Sequence, residues 1–191
     1  SLAIGGNALG LFFGNGGRRM YILTVNDFIH QYDLTIDYDV STASFTLPTT
    51  GLFDPSIEAP SPIGLDFKTD GTKMYVIGPT SDSVHEYNLS TAWDISTASF
   101  NQSLSVSAYE SNPQGIFFKP DGTKMYIAGA QVDEVNEFTL STAWDISTAS
   151  FVQNFNVSSQ EGSPSGICFS SDGTIMLISG SGADAISEFK L

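Results

Sequence analysis

Short apolar runs separated by polar turn residues mark almost the whole chain, and several of them alternate apolar and polar positions with a period of two. Val84-His85-Glu86-Tyr87-Asn88-Leu89 is one such run, and Ile29 to Leu34, Val135 to Leu140 and Ile186 to Leu191 are its counterparts. That period belongs to strands with one face buried, because successive side chains leave a strand on opposite sides. Abundant Gly, Ser and Thr with sparse strong helix formers point the same way, and an all-β chain is expected.

The runs recur at a fixed distance. The anchor Gly-apolar-x-Phe occurs at Gly10-Leu11-Phe12-Phe13, Gly64-Leu65-Asp66-Phe67, Gly115-Ile116-Phe117-Phe118 and Gly166-Ile167-Cys168-Phe169, with spacings of 54, 51 and 51 residues. Extra residues of the first unit are placed in the proline-rich stretch from Leu47 to Pro60. Each anchor leads to a turn and a second apolar run, as in Asp70-Gly71-Thr72-Lys73-Met74-Tyr75 and Asp121-Gly122-Thr123-Lys124-Met125-Tyr126. Asp172-Gly173-Thr174 and Asn15-Gly16-Gly17 hold the same place in the other units. Asp-Gly between apolar runs signals a hairpin, since glycine accepts the positive φ the turn requires. The alternating run is a third strand. A fourth follows the segment STAWDISTASF, spelled identically at 90–100 and 141–151.

Four strands in about fifty residues is the dimension of a propeller blade. The expected fold is an all-β β-propeller of four four-stranded blades, spanning 10–54, 62–108, 113–159 and 164–191. The last unit lacks its own fourth strand, and Ser1 to Ile4 is expected to supply it and close the ring, which removes exposed sheet edges. A two-chain alternative exchanges that strand and makes an eight-bladed homodimer in place of a closed monomer.

The run Ser61-Pro62-x-Gly64-Leu65-x-Phe67-x-x-Asp70-Gly71-Thr72-Lys73-Met74-Tyr75-Val76 resembles the core of WD40-like propeller repeats of the YVTN and NHL kind. The resemblance covers all four units and is nearest in the third, with Lys119-Pro120-Asp121-Gly122; Ile175 and Leu177 in the last unit depart from it. The longer unit ending in STAWDISTASF is similar to repeats of surface and tail-fibre-like proteins of marine bacteria and phages. The resemblance implies a structural motif with no catalytic residue, and an extracellular, cell-surface or virion setting.

Composition narrows the partners. Seven basic against twenty-one acidic residues leave a net charge of −14, which repels phosphate backbones and anionic membranes, so nucleic acid is not an expected partner. No apolar stretch is long enough to span a bilayer as a helix, so membrane insertion is not expected. Cys168, the one cysteine, lies in an apolar run and is expected to be a buried, inert thiol.

Candidate chemistry is sparse. Trp93-Asp94, Trp144-Asp145 and Tyr38-Asp39 repeat an aromatic beside a carboxylate, the pairing with which sugar sites stack and hydrogen-bond a ring. The competing expectation is architectural: the rings pack between blades and each Asp caps the following turn. Asp66 stands where the other units have Phe12, Phe117 and Cys168, so it is either a tolerated substitution or a ligand near the central channel. His30 and His85 share one repeat position and are expected to be exposed; Asp37 with Asp39 and Asp133 with Glu134 are loop carboxylates that match no EF-hand. Glycosylation patterns at Asn88, Asn101 and Asn156 carry little weight in so serine-rich a chain.

No Gly-x-Ser-x-Gly, His-Glu-x-x-His, P-loop or dinucleotide fingerprint is present. The favoured expectation is a non-enzymatic, cofactor-free binding or display module recognising a glycan or protein through loops at one end of the ring. The alternatives are a metal-assisted hydrolase or lactonase in the channel, using Asp66 and the histidines, and a purely structural scaffold.

Overall fold

The computed structural model describes residues 7–45 and 52–191. The chain is an all-β propeller of four antiparallel sheets arranged in a ring. Blade 1 contains β1 (Ala8–Gly14), β2 (Arg19–Thr24), β3 (Ile29–Leu34) and β4 (Ala43–Phe45), with β5 (Leu52–Phe53) also pairing β3. Blade 2 contains β6 (Gly64–Phe67), β7 (Lys73–Gly78), β8 (Ser83–Leu89) and β9 (Ala98–Ser105). Blade 3 contains β10 (Pro113–Phe118), β11 (Lys124–Gly129), β12 (Glu134–Leu140) and β13 (Ala149–Asn156). Blade 4 contains β14 (Pro164–Phe169), β15 (Ile175–Gly180) and β16 (Ile186–Lys190). Apart from β5, every sheet is ordered in chain sequence, each strand pairing with the next. The closing strand expected at Ser1 to Ile4, and Pro48 in the long loop, lie outside the described residues.

The anchor glycines explain the repeat. They sit on the innermost strands, where a Cβ on Gly10 would stand 2.9 Å from the Ile63 carbonyl oxygen, one on Gly64 2.5 Å from that of Gln114, and one on Gly115 2.8 Å from that of Ser165. Each inner strand therefore approaches the next at its glycine, closer than any side chain permits. The second strands supply most of the fully buried core, including Tyr21, Leu23, Met74, Tyr75, Ile77, Met125, Ile127 and Ile178. The Asp-Gly turns behave as their sequence requires: Gly71, Gly122 and Gly173 hold φ of 74°, 73° and 73°, and Asp70 accepts bonds from the Thr72 backbone N–H at 3.0 Å and its hydroxyl at 2.6 Å.

The fourth seam differs from the other three. A Cβ on Gly166 would meet only Ser179 of its own blade among the described residues, and Leu11 and Ile186 are exposed beside it. Cys168 is exposed too, against the expectation of burial. Its repeat partner Phe117 packs on Phe169 of the following blade, whereas no described residue covers the corresponding face of blade 4.

The close approach at the axis is directly testable. Gly64→Ala is expected to lower stability by about 2–3 kcal/mol through overpacking against a main-chain carbonyl. Gly162→Ala, with nothing within 4 Å of the new methyl, is expected to be neutral or slightly stabilising. Urea unfolding midpoints of the two variants check this, and equal midpoints would refute the tight axial packing.

Candidate functional site

Three places were indicated by the sequence: the linker aromatics, the channel, and the loops at one end of the ring. At the first, backbone geometry comes before chemistry. Tyr38, Trp93 and Trp144 all have positive φ, of 59°, 65° and 64°, and their N–H groups donate to the carbonyls of Gly17, Gly71 and Gly122. This turn folds each ring down onto its own blade's turn glycine, where a Cβ would come within about 2.5 Å of the ring. Trp93 also packs on Phe67, and Trp144 stacks on Phe118 with ring centres 5.3 Å apart. Trp144 is buried, while Tyr38 stays largely exposed.

The linker carbonyls join adjacent blades. Tyr21 donates its hydroxyl to the Trp93 carbonyl and Tyr75 donates to that of Trp144, both at 2.6 Å. Arg19 adds a second donor to the Trp93 carbonyl at 2.8 Å. Burial pushes the ionisation of both phenols well above its ordinary range, so they remain neutral donors. Asp39, Asp94 and Asp145 cap the short 3₁₀ turns Val40–Thr42, Ile95–Thr97 and Ile146–Thr148, each accepting from the backbone N–H two residues on. Asp145 also accepts from Gln102 of the preceding blade at 2.9 Å. The three aromatic–carboxylate pairs thus stand apart, one to a blade, and each Asp caps its own turn through Oδ1.

Asp66 lies in the seam between blades 2 and 3 and does not line the channel. Its two carboxylate oxygens accept from the backbone N–H groups of Phe67 and of Phe118 in the next blade, each at 2.7 Å. Burial outweighs these two bonds and pushes its pKa up to about 7. A central cavity of about 270 Å³ is lined by Gly10, Gly64, Gly115 and Gly166, by the aliphatic residues beside them, and by Ser165 and Ser179. Among the described residues, no titratable side chain lines it. The histidines are also elsewhere: both sit on the third strands of their blades, β3 and β8. His85 is buried, contrary to expectation, with Nε2 2.9 Å from the Ser81 hydroxyl and Nδ1 without a partner among the described residues. His30 is half-buried against Phe45, and burial lowers the pKa of both rings. Among the described residues, no three acidic, histidine or cysteine side chains gather as a metal site.

The two ends of the ring differ sharply in charge. All seven basic residues, Arg18, Arg19, Lys68, Lys73, Lys119, Lys124 and Lys190, lie at the end that carries the first hairpin turns and the aromatic linkers. The opposite end holds the turns between second and third strands and the linkers that enter each new blade. There Asp27, Asp82, Asp133 and Asp184 occupy positive-φ turn positions, with Asp54, Glu58, Glu110, Glu134 and Glu161 around them and no described cation among them. Glu110 and Glu161 are buried and hold backbone: Glu110 accepts from the N–H groups of Asn112 and Gln131, and Glu161 from those of Ser163 and Gly182. Ile57, Tyr109 and Val132 are exposed at the same end. The clue was in the sequence, since every Lys and Arg falls beside a first hairpin turn or pairs with one.

Two outcomes follow from these placements. The folded Asp66 holds its proton up to about pH 7 while the unfolded chain releases it near pH 3.8, so stability is expected to fall as pH rises from 4 to 7, by up to roughly 4 kcal/mol. Asp66→Asn should flatten that slope in urea titrations across the interval; an unchanged slope would show that Asp66 ionises freely in the fold. Trp144→Ala is expected to cost about 3–5 kcal/mol, because it removes a buried indole stacked on Phe118 and Tyr75 and leaves a cavity in the seam. Thermal unfolding checks it, and a loss below 1 kcal/mol would mean that the ring is dispensable to the seam.

No protein-family model matches the chain, and no curated protein matches it. Solved structures do. A Bacteroides fragilis protein, provisionally named a 6-phosphogluconolactonase, aligns with a TM-score of 0.65 and 18% identity over 96% of this chain and 50% of its own. The Pseudomonas aeruginosa periplasmic gluconolactonase aligns with a TM-score of 0.59 and 15% identity over 97% of this chain and 50% of its own. The Swd1 β-propeller domain of Myceliophteria thermophila aligns at 0.55 and 10% over 96% and 53%. The chain spans about half the length of these structures, and at such identities the likeness is one of fold: a β-propeller.

Proposed function

We propose that this chain is a non-enzymatic recognition module, and that its acidic end binds a protein partner through a basic surface. The observation that supports this reading is the segregation of charge: every cation stands at one end, and the opposite end presents carboxylates in all four blades. Such a field steers a positively charged partner and disfavours anionic ones. Exposed Ile57, Tyr109 and Val132 add apolar contact area among those carboxylates. In this reading the module is displayed on a bacterial or virion surface, and the ring serves as a rigid platform for its loops.

Lactone hydrolysis is the second reading, favoured by the fold shared with the gluconolactonases. In this chain Asp66 and the histidines stand away from the channel, and the acidic end opposes an anionic phosphosugar. One pair of measurements separates the two. Binding to an immobilised lysine-rich peptide is expected at 50 mM salt, weakening about tenfold or more by 300 mM and in an Asp54→Asn/Glu58→Gln variant. Absence of binding at low salt, together with hydrolysis of 6-phosphogluconolactone above the spontaneous rate, would replace the binding reading with the enzymatic one.

A further inference from the structure

The turns that lead into blades 2 and 3 share one backbone design. Before blade 2 the N–H groups of Glu58 and Ala59 both donate to the Pro55 carbonyl, and before blade 3 those of Tyr109 and Glu110 both donate to the Val106 carbonyl. Glu58 and Tyr109 therefore hold the same position in successive units. The strand pairs beside them correspond as well: Phe100 stands opposite Tyr87 in blade 2, and Phe151 stands opposite Phe138 in blade 3.

What covers the outer phenylalanine differs between the two. Tyr109 lies flat on Phe151, with ring centres 4.3 Å apart and planes 13° apart, and meets Phe138 edge-on at 5.4 Å. Glu58 has no ring to offer, and its carboxylate instead accepts from the Tyr87 hydroxyl at 3.5 Å. Phe100 is 44% exposed as a result, and its described aromatic neighbours, Tyr87 and His85, meet it edge-on and tilted, not face to face. His85 borders Phe100 with ring centres 6.4 Å apart, and its Nδ1 has no partner among the described residues. Burial lowers the pKa of this ring, so it is neutral and adds no positive charge to the wall.

We infer that Phe100 and Glu58 form a receptor for an arginine side chain of the basic partner. A guanidinium is planar, so it would lie over Phe100 as the Tyr109 ring lies over Phe151, and its N–H fork would donate to the Glu58 carboxylate. An ammonium carries the same charge without the flat face, so lysine gains chiefly the electrostatic part. Asp54 and the exposed Ile57, in the same entering segment, add negative charge and apolar contact beside the site. This inference rests on the acidic-end reading and names the residue that the partner presents there.

The test is fluorescence anisotropy of two labelled peptides of equal length and charge, titrated with the whole chain at 50 mM salt. One is lysine-rich, and in the other arginine replaces every lysine. The arginine peptide is expected to bind about fivefold or more tightly. Phe100→Leu, which keeps an apolar side chain without a ring face, should bring the two peptides to equal affinity while the lysine peptide still binds. Glu58→Tyr, which copies blade 3, should also abolish the arginine preference, and it decides the matter if circular dichroism shows that the leucine variant is unfolded. Equal binding of the two peptides by the unsubstituted chain, or a preference that survives in the folded variants, would overturn the inference and leave the acidic-end reading standing. Binding of neither peptide would overturn both.

Discussion

A tyrosine hydroxyl crossing from one blade to the main-chain carbonyl of the next blade's linker aromatic is the contact on which the rest of this structure depends. It forms at Tyr21 with Trp93 and again at Tyr75 with Trp144. A hydroxyl buried among aromatic rings is costly without a partner, so the bond sets the distance and angle between the sheets. The anchor glycines make the same demand at the axis, where any side chain would strike a carbonyl. Between these two constraints the sheets have little freedom, and the aromatic clusters Tyr21–Phe67–Trp93 and Tyr75–Phe118–Trp144 fill what remains.

Seen from this constraint, the duplicated STAWDISTASF is one structural device used twice. The positive φ at tryptophan, unusual for a bulky residue, is held by the N–H bond to the turn glycine and by the aspartate cap that follows. An aromatic beside a carboxylate is also what a sugar site offers, which is why the pattern alone leaves both meanings open. In the fold the indoles of Trp93 and Trp144 pack on protein and each linker carboxylate caps its own turn through Oδ1.

Asp66 shows how a buried charge can belong to architecture. Its position is apolar in the other units, and it replaces the ring contact of Phe12 with Phe67, or of Phe117 with Phe169, by two short bonds to backbone N–H groups of adjacent blades. The seam is thereby joined by a group whose charge burial disfavours, and the ring trades some neutral-pH stability for a directional link.

The fold class, the repeat and the strand order of each blade were legible in the sequence. Period-two alternation and Asp-Gly turns are local signals, set by side-chain geometry and by the φ that glycine accepts. The sites were not legible in the same way, because their meaning depends on which blade faces which. Sequence alone could place Trp93, Asp66 and His85 in their strands and linkers, but not say that the first covers Gly71, the second bridges to Phe118, and the third is buried beside Ser81. Tertiary packing decided these, along with the exposure of Cys168. The hydrogen bonds of Tyr21, Tyr75 and Asp66 between blades join residues 52 to 72 positions apart, and no local pattern carries that information.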